Sequence, residues 1–360
     1  MTTYNKNEVD EKNKRIFYFK NILKIIVIQN VTMFLYLCML FSVVHSFTIE
    51  FPYGTNFMVK VKGINLLTVN QQTKEDLQYL FKTTPVVVFE NQYITPEDHY
   101  LISTWFDSNY LNKKIHPFYE TQVPSIDQIA IRGKGVADCF GVNDVEIRNA
   151  RSFKYTPLWH QDVVGNKWVM PPVVSSMYMI KTPETGGFTS FASMENAYES
   201  LSVEDRKICN EINCIYSPIH GYGAQVDFTG YGRLDKYWEE TMTKEKIDAM
   251  SIQPLVIYPT AEDTKRSLML TPNKLYKFEG DERGKTPAYT QEKIRYLMHN
   301  HVLRQGNVGK LHYKENDLVI FNNRKVMHTS SPLEEYKEDR IFSLLFLATK
   351  TPLYNISTAL

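Results

Sequence analysis

The segment TPLWHQDVVGN, residues 156–166, sets His160 two positions before Asp162. Side chains at i and i+2 of extended backbone leave from the same face, so an imidazole and a carboxylate at this spacing can reach one ion. The same pair also suits an exposed strand edge that binds nothing, and the spacing alone does not choose. A third donor is needed. His328 closes the stretch DLVIFNNRKVMH, where an apolar strand runs into a polar turn. With His160 and Asp162 it makes a two-histidine, one-carboxylate set that leaves coordination positions open, a pattern suited to ferrous iron. A structural zinc ion would take a fourth protein ligand, and no obvious one accompanies the three.

Arg340 opens the apolar segment RIFSLLFLAT. A guanidinium there needs an anionic partner if it points inward, and it can hold a carboxylate through paired hydrogen bonds. A diacid that chelates the metal at one end and meets Arg340 at the other fits this arrangement. The alternative is a surface arginine paired with Glu338 or Asp339. The strands carrying His328 and Arg340 are expected to be antiparallel neighbours, bringing both side chains to a barrel mouth.

These groups need a scaffold, and the chain spells one out. QTKEDLQYLFKTTPVVVFEN reads as a helix followed by a short apolar strand, Val86–Phe89. In ITPEDHYLISTWFDSN, Thr95 is placed to cap a second helix with Pro96 at its first position. VVSSMYMIKTP, GGFTSFAS, DLVIFNN and RIFSLLFLAT read as strands bounded by Gly, Pro or Asn. SMENAYESLSVEDRKICNEI has helical spacing with Ala197, Leu201 and Ile208 on its buried face. A few helices before and among many short strands predict a mainly β, α+β fold with a jelly-roll core.

With 41 Lys+Arg against 40 Asp+Glu, the chain has no long-range field to gather nucleic acid, and a small-molecule substrate is the better expectation. No glycine-rich phosphate loop is present. The cysteines, Cys38, Cys139, Cys209 and Cys214, form no CxxC pair and read as free or buried thiols. Residues 25–46, IIVIQNVTMFLYLCMLFSVVHS, carry no charged residue and follow a run of lysines and Arg15. They read as a signal anchor or a signal peptide, placing the protein at a membrane or in the secretory pathway. A buried helix or irregular extension in a cytoplasmic protein is the competing reading.

The order WHxD, TPxxGGxT, NNRxxxH and then Arg resembles the taurine dioxygenase (TauD/TfdA) family of iron(II)- and 2-oxoglutarate-dependent dioxygenases. The resemblance covers most of residues 48–360, behind the N-terminal segment 1–47. It implies a double-stranded β-helix core, Fe(II) as cofactor, and 2-oxoglutarate and O2 as cosubstrates. It also implies hydroxylation of a small organic substrate, sulfonate-, amino-acid- or carnitine-like, with release of succinate and CO2. A catalytically inactive jelly-roll binding protein with a structural metal site is the alternative.

Carried over, His160, Asp162 and His328 resemble the iron ligands, and Thr189 and Arg340 resemble the residues that hold the far carboxylate of 2-oxoglutarate. Gly186 and Gly187 would form the turn presenting Thr189. HPFY resembles a substrate-contacting segment, making His116 and Tyr119 substrate-binding candidates. Leu344 stands where taurine enzymes carry a second arginine, and Thr156 where they carry an asparagine, which argues against taurine. The stretch from His220 to His312 is longer than in bacterial members and has no assigned role.

Overall fold

The computed structural model describes residues 47–51, 54–147, 158–165, 167–216, 244–280, 287–332 and 335–355. The apolar stretch 25–46, Thr156, Cys38 and residues 217–243 lie outside these. Among the described residues no helix is long and apolar enough to cross a membrane. Backbone contacts separate Met1–Ile49 from a larger unit, Glu50–Leu360, which carries every candidate site residue.

The larger unit begins with β1 (Met58–Lys62), α1 (Gln71–Thr83), β2 (Val86–Phe89) and α2 (Pro96–Thr104). The Asn70 side chain caps α1 by accepting from Thr73 N–H at 2.8 Å. α2 starts on a reciprocal capping box: Thr95 Oγ1 accepts from Asp98 N–H at 3.1 Å, and Asp98 Oδ2 accepts from Thr95 N–H at 3.0 Å. α2 starts where Thr95 predicts, whereas the Asn70 cap of α1 emerges only in the structure. β3 (Ile129–Cys139), β4 (Val142–Ile147), β5 (Val174–Lys181) and β6 (Thr189–Ser193) follow.

The expected single helix after β6 is two: α3 (Met194–Glu199) and α4 (Val203–Glu211). Ser202 breaks it, because its hydroxyl accepts from Asp205 N–H at 3.0 Å and starts a new helix. Ala197 and Leu201 are buried as expected. β7 (Asn213–Tyr216), β8 (Ser251–Pro254), β9 (Leu275–Glu279), α5 (Pro287–Leu297), β10 (Val308–Leu311), β11 (Leu318–Asn322), β12 (Val326–Ser330) and β13 (Arg340–Phe346) are among the elements that follow.

The major sheet runs β1-β2-β11-β5-β13-β3-β4, parallel between β1 and β2 and antiparallel elsewhere. Its middle strands read VVVF and LVIFN and are buried along their length, as strands covered on both faces must be. A smaller sheet, β10-β6-β12, packs against it. The core between them joins Phe191, Val326 and Leu311 of the small sheet to Met177, Met179, Val319, Phe321 and Phe342 of the large one. This is the jelly-roll core of a mainly β, α+β fold. A third sheet, β9-β7-β8, with α3 to α5, covers the other side of the small sheet through a cluster that includes Met327, Ala192, Leu270 and Ile294. The described part of the stretch 220–312 supplies much of this cover.

The strands of His328 and Arg340 are not paired neighbours as expected. β12 pairs with β6 in the small sheet, whereas β13 lies between β5 and β3 in the large one. The short polar connection after β12 crosses from one sheet to the other, so chain proximity does not become ladder pairing.

Candidate active site

His160 and His328 face each other across an isolated antiparallel bridge. Each main chain holds the other: His160 N–H donates to His328 O at 3.0 Å and His328 N–H donates to His160 O at 2.9 Å. Directly opposite residues project to one side, so the bridge delivers both imidazoles together, with ring centroids 4.3 Å apart. Asp162 completes the group. Its Oδ1 lies 3.6 Å from His160 Nε2 and 3.7 Å from His328 Nε2.

Local contacts aim the ligand atoms. His160 Nδ1 donates to Leu158 O at 2.8 Å, which leaves Nε2 as the lone-pair nitrogen facing Asp162. His328 is held by rings instead, with Phe321 and Phe191 at 5.0 and 5.9 Å. Burial and the neighbouring His160 press its basicity well below the ordinary histidine range, so its imidazole stays neutral and able to ligate. Burial raises the Asp162 carboxyl above the usual carboxylate range. Among the described residues no Lys or Arg forms an ion pair with it. A desolvated carboxylate facing two imidazole nitrogens is favoured by a divalent ion held between the three. The donor atoms lie within 4.8 Å of one another, so the residues fit an iron ion.

The turn before β12 anchors the HxD segment. Asn323 Oδ1 accepts from Asp162 N–H at 2.6 Å, and its Nδ2 donates to Asp162 O at 3.0 Å. Gln161 reaches both ways: its Nε2 donates to Asn323 O at 3.1 Å, and its Oε1 accepts from Leu270 N–H at 2.9 Å. Arg324, fully buried, donates to the carbonyls of Pro171, Pro259, Thr351 and Pro352 at 2.7–3.0 Å. Asn323 and Arg324 stand in the quoted NNR motif, yet nothing local in that motif reveals partners so far away in the chain.

Arg340 is 3% exposed, so the surface alternative does not hold, and Asp339 pairs with Lys181 at 3.3 Å instead. Arg340 Nε donates to Gly187 O at 2.7 Å and Nη2 to Thr189 Oγ1 at 3.2 Å. Its guanidinium lies over the Phe342 and Tyr313 rings at 4.6 and 5.5 Å. Among the described residues it has no carboxylate partner. Gly186 and Gly187 have φ of 70° and 60°, and a Cβ on Gly187 would come within 2.4 Å of Pro183 Cγ. The β6–β12 register sets Phe191 opposite His328 and Thr189 opposite Ser330. Thr189 thus lies on the same face as Phe191, about 7 Å along the strand from the level of His328.

His116 and Tyr119 sit differently. Both His116 ring nitrogens meet backbone: Nε2 bonds Asp127 O at 3.0 Å and Nδ1 accepts from Phe118 N–H at 3.2 Å. Burial pushes its basicity down to about 4. Tyr119 is 76% exposed, with Lys114 over its ring at 3.7 Å. Neither hydrogen-bonds to His160, Asp162, His328, Thr189 or Arg340. Leu344, half-buried, packs on the cluster that contains Met177, Met179 and Phe342.

The profile of the family described as taurine catabolism dioxygenase TauD, TfdA family matches residues 51–344. The chain belongs to this family. A TauD/TfdA protein is an oxidoreductase, a dioxygenase that uses Fe(II) with 2-oxoglutarate (alpha-ketoglutarate) and O2, and the donor set above suits that ion. The chain is similar to the alpha-ketoglutarate-dependent xanthine dioxygenase of Schizosaccharomyces pombe, 25% identical over 84% of this chain and 87% of that protein. Its fold matches a taurine dioxygenase from Burkholderia xenovorans, with a TM-score of 0.63 at 18% identity, covering 87% of this chain and 93% of that one. It also matches AAD-2 in complex with Mn(II) and N-oxalylglycine, with a TM-score of 0.59 at 20% identity, over 85% and 99% of the two chains.

Proposed function

We propose that this TauD/TfdA protein hydroxylates a small organic substrate, with His160, Asp162 and His328 holding the iron and with Thr189 and Arg340 holding the far carboxylate of 2-oxoglutarate. The buried, carboxylate-free guanidinium of Arg340, on the same inner face as the ligand cluster, is the observation that carries this reading. When bound, iron with 2-oxoglutarate and O2 supplies the oxidising equivalent, and 2-oxoglutarate leaves as succinate and CO2.

The protein's part is placement. Arg340 meets the anionic end of the diacid with a fork already braced on Gly187 O and Thr189 Oγ1. Phe191 and Phe321 pack beside His328 and Phe342 beside Arg340 in one buried apolar cluster, surroundings that disfavour water. His160 and Asp162 keep their donor atoms aimed through bonds to Leu158 and Asn323.

Leu344 packs in apolar surroundings, which disfavours a sulfonate at that position. Amino-acid-like and carnitine-like compounds stay in the candidate class, and the similarity to xanthine dioxygenases adds xanthine. Purified protein with Fe(II), ascorbate and 2-oxoglutarate should release succinate, faster with its substrate, and Asp162→Ala or His328→Ala should abolish release. Undiminished succinate in both variants overturns the assignment.

For residues 25–46 the targeting reading stands beside this one, with the catalytic domain in residues 48–360. Fractionation of eukaryotic cells making the full chain or residues 47–360 tests it. Both forms wholly in the cytosol would sink it.

A further inference from the structure

We infer that Asn323 is the positioning residue for Asp162, fixing through one carboxamide the site residue that no strand ladder holds. His160 and His328 secure each other through their bridge, and Thr189 and Arg340 sit in strands. Asp162 lies beyond the bridge in a turn, followed by Val163 at a φ of 58°. A β-branched residue in that region is strained and persists only where its surroundings hold it. Both main-chain polar groups of Asp162 go to the Asn323 side chain, at 2.6 and 3.0 Å.

Asn323 can do this because it is itself fixed. It is fully buried, its N–H donates to Val173 O at 2.9 Å, and its O accepts from Gln161 Nε2 at 3.1 Å. A carboxamide presents a donor and an acceptor side by side whatever the pH. An ionised aspartate of the same shape would turn an acceptor toward the Asp162 carbonyl, and an alanine would leave two buried groups unpaired. Either change frees the Asp162 backbone and moves its Oδ1 off the level of the two imidazoles. The inference rests on Asp162 being a metal ligand, and the experiment separates the two.

Co(II) titrated into the full-length protein, followed by its visible absorption, reports affinity and ligand geometry without turnover. Asn323→Ala and the near-isosteric Asn323→Asp are expected to weaken binding roughly 10- to 100-fold and shift the bands. Adding Asn323→Ala to Asp162→Ala should cost nothing more, because the effect runs through Asp162. His99→Gln, a destabilising change outside the site, should leave affinity and spectrum alone. Wild-type affinity and bands in both Asn323 variants, with binding lost in Asp162→Ala, would overturn the positioning role alone. An additive loss in the double variant would do the same. Wild-type binding by Asp162→Ala would overturn the metal-site reading, and this inference with it.

Discussion

Arg340 Nη2 donates to Thr189 Oγ1 across 3.2 Å, tying the first residue of β13 to the first residue of β6 inside the barrel. The contact crosses between the two sheets, so it fixes the guanidinium relative to the strand that faces His328. Arg340→Leu is expected to cost about 2–5 kcal/mol in 2-oxoglutarate binding, because a buried carboxylate loses its cation. Thr189→Ala should cost about 1 kcal/mol, the worth of one hydrogen bond. KM for 2-oxoglutarate, measured at saturating iron, reports both. Arg340→Lys should recover only part of the loss, since an ammonium lacks the fork that reaches Gly187 O and Thr189 together.

Gly187 offers a sharper test of the same clamp. Its carbonyl accepts from Arg340 Nε at 2.7 Å, its φ is 60°, and a Cβ would meet Pro183 Cγ at 2.4 Å. Gly306 shares a positive φ, 80°, but has nothing within 4 Å of its Cβ position. Gly306→Ala should therefore lower stability by about 1–2 kcal/mol and leave the KM alone. Gly187→Ala should lower stability at least as much and also raise the KM for 2-oxoglutarate. Equal kinetic behaviour in the two variants would argue against the turn as part of the clamp.

His99 governs part of the acid sensitivity of the fold. It is fully buried between α2 and the major sheet, with Nδ1 at 2.9 Å from Ser343 Oγ and Nε2 at 2.7 Å from Ser176 Oγ. Burial drives its basicity from 6.5 down to about 3. The unfolded chain therefore binds a proton below pH 6.5 that the folded chain refuses. Stability is complete above that point and falls as the pH drops toward 3. Between pH 7.5 and 5.5 His99 should account for about 1.4 kcal/mol of lost stability. Urea unfolding of the wild type and His99→Gln at both pH values checks this, the variant showing the smaller decline by that amount.

Arg324 tests how a buried cation held by main-chain carbonyls is tolerated. Four carbonyl oxygens converge on it, and burial lowers its basicity only to about 10, so it stays charged. Arg324→Met should destabilise the protein by at least about 3 kcal/mol, because several buried acceptors lose their donors at once. Arg324→Lys should rescue little, since one ammonium cannot span carbonyls on three separate segments. Equilibrium unfolding in denaturant gives both numbers.

The sequence shows some of these features well and others not at all. Thr95, Pro96 and Asp98 announce α2 because a cap is satisfied within four residues. VVVF announces β2 because full burial leaves an unbroken apolar run. His160 and Asp162 are legible as a pair because their spacing is local, and their union with His328 because the donor chemistry is specific. The separation of β12 from β13 into different sheets is not legible in the sequence, because chain neighbours need not share a sheet. The grip of Asn323 on Asp162 spans 161 residues, and Arg324 reaches Pro171 across 153. No window along the chain contains both partners of such contacts. The break at Ser202 was within reach, since Ser followed three residues later by Asp205 is a helix start.

The bridge between His160 and His328 has a consequence for the order of assembly. The two residues are brought together only when the chain has closed a loop of 168 positions (328 − 160). Closing so long a span belongs to the late, non-local part of folding. A nascent or half-built chain thus owns one imidazole here and one there, but no cage. The three donor groups therefore converge only in the finished barrel, and an ion held by them as proposed would be captured after folding rather than during it.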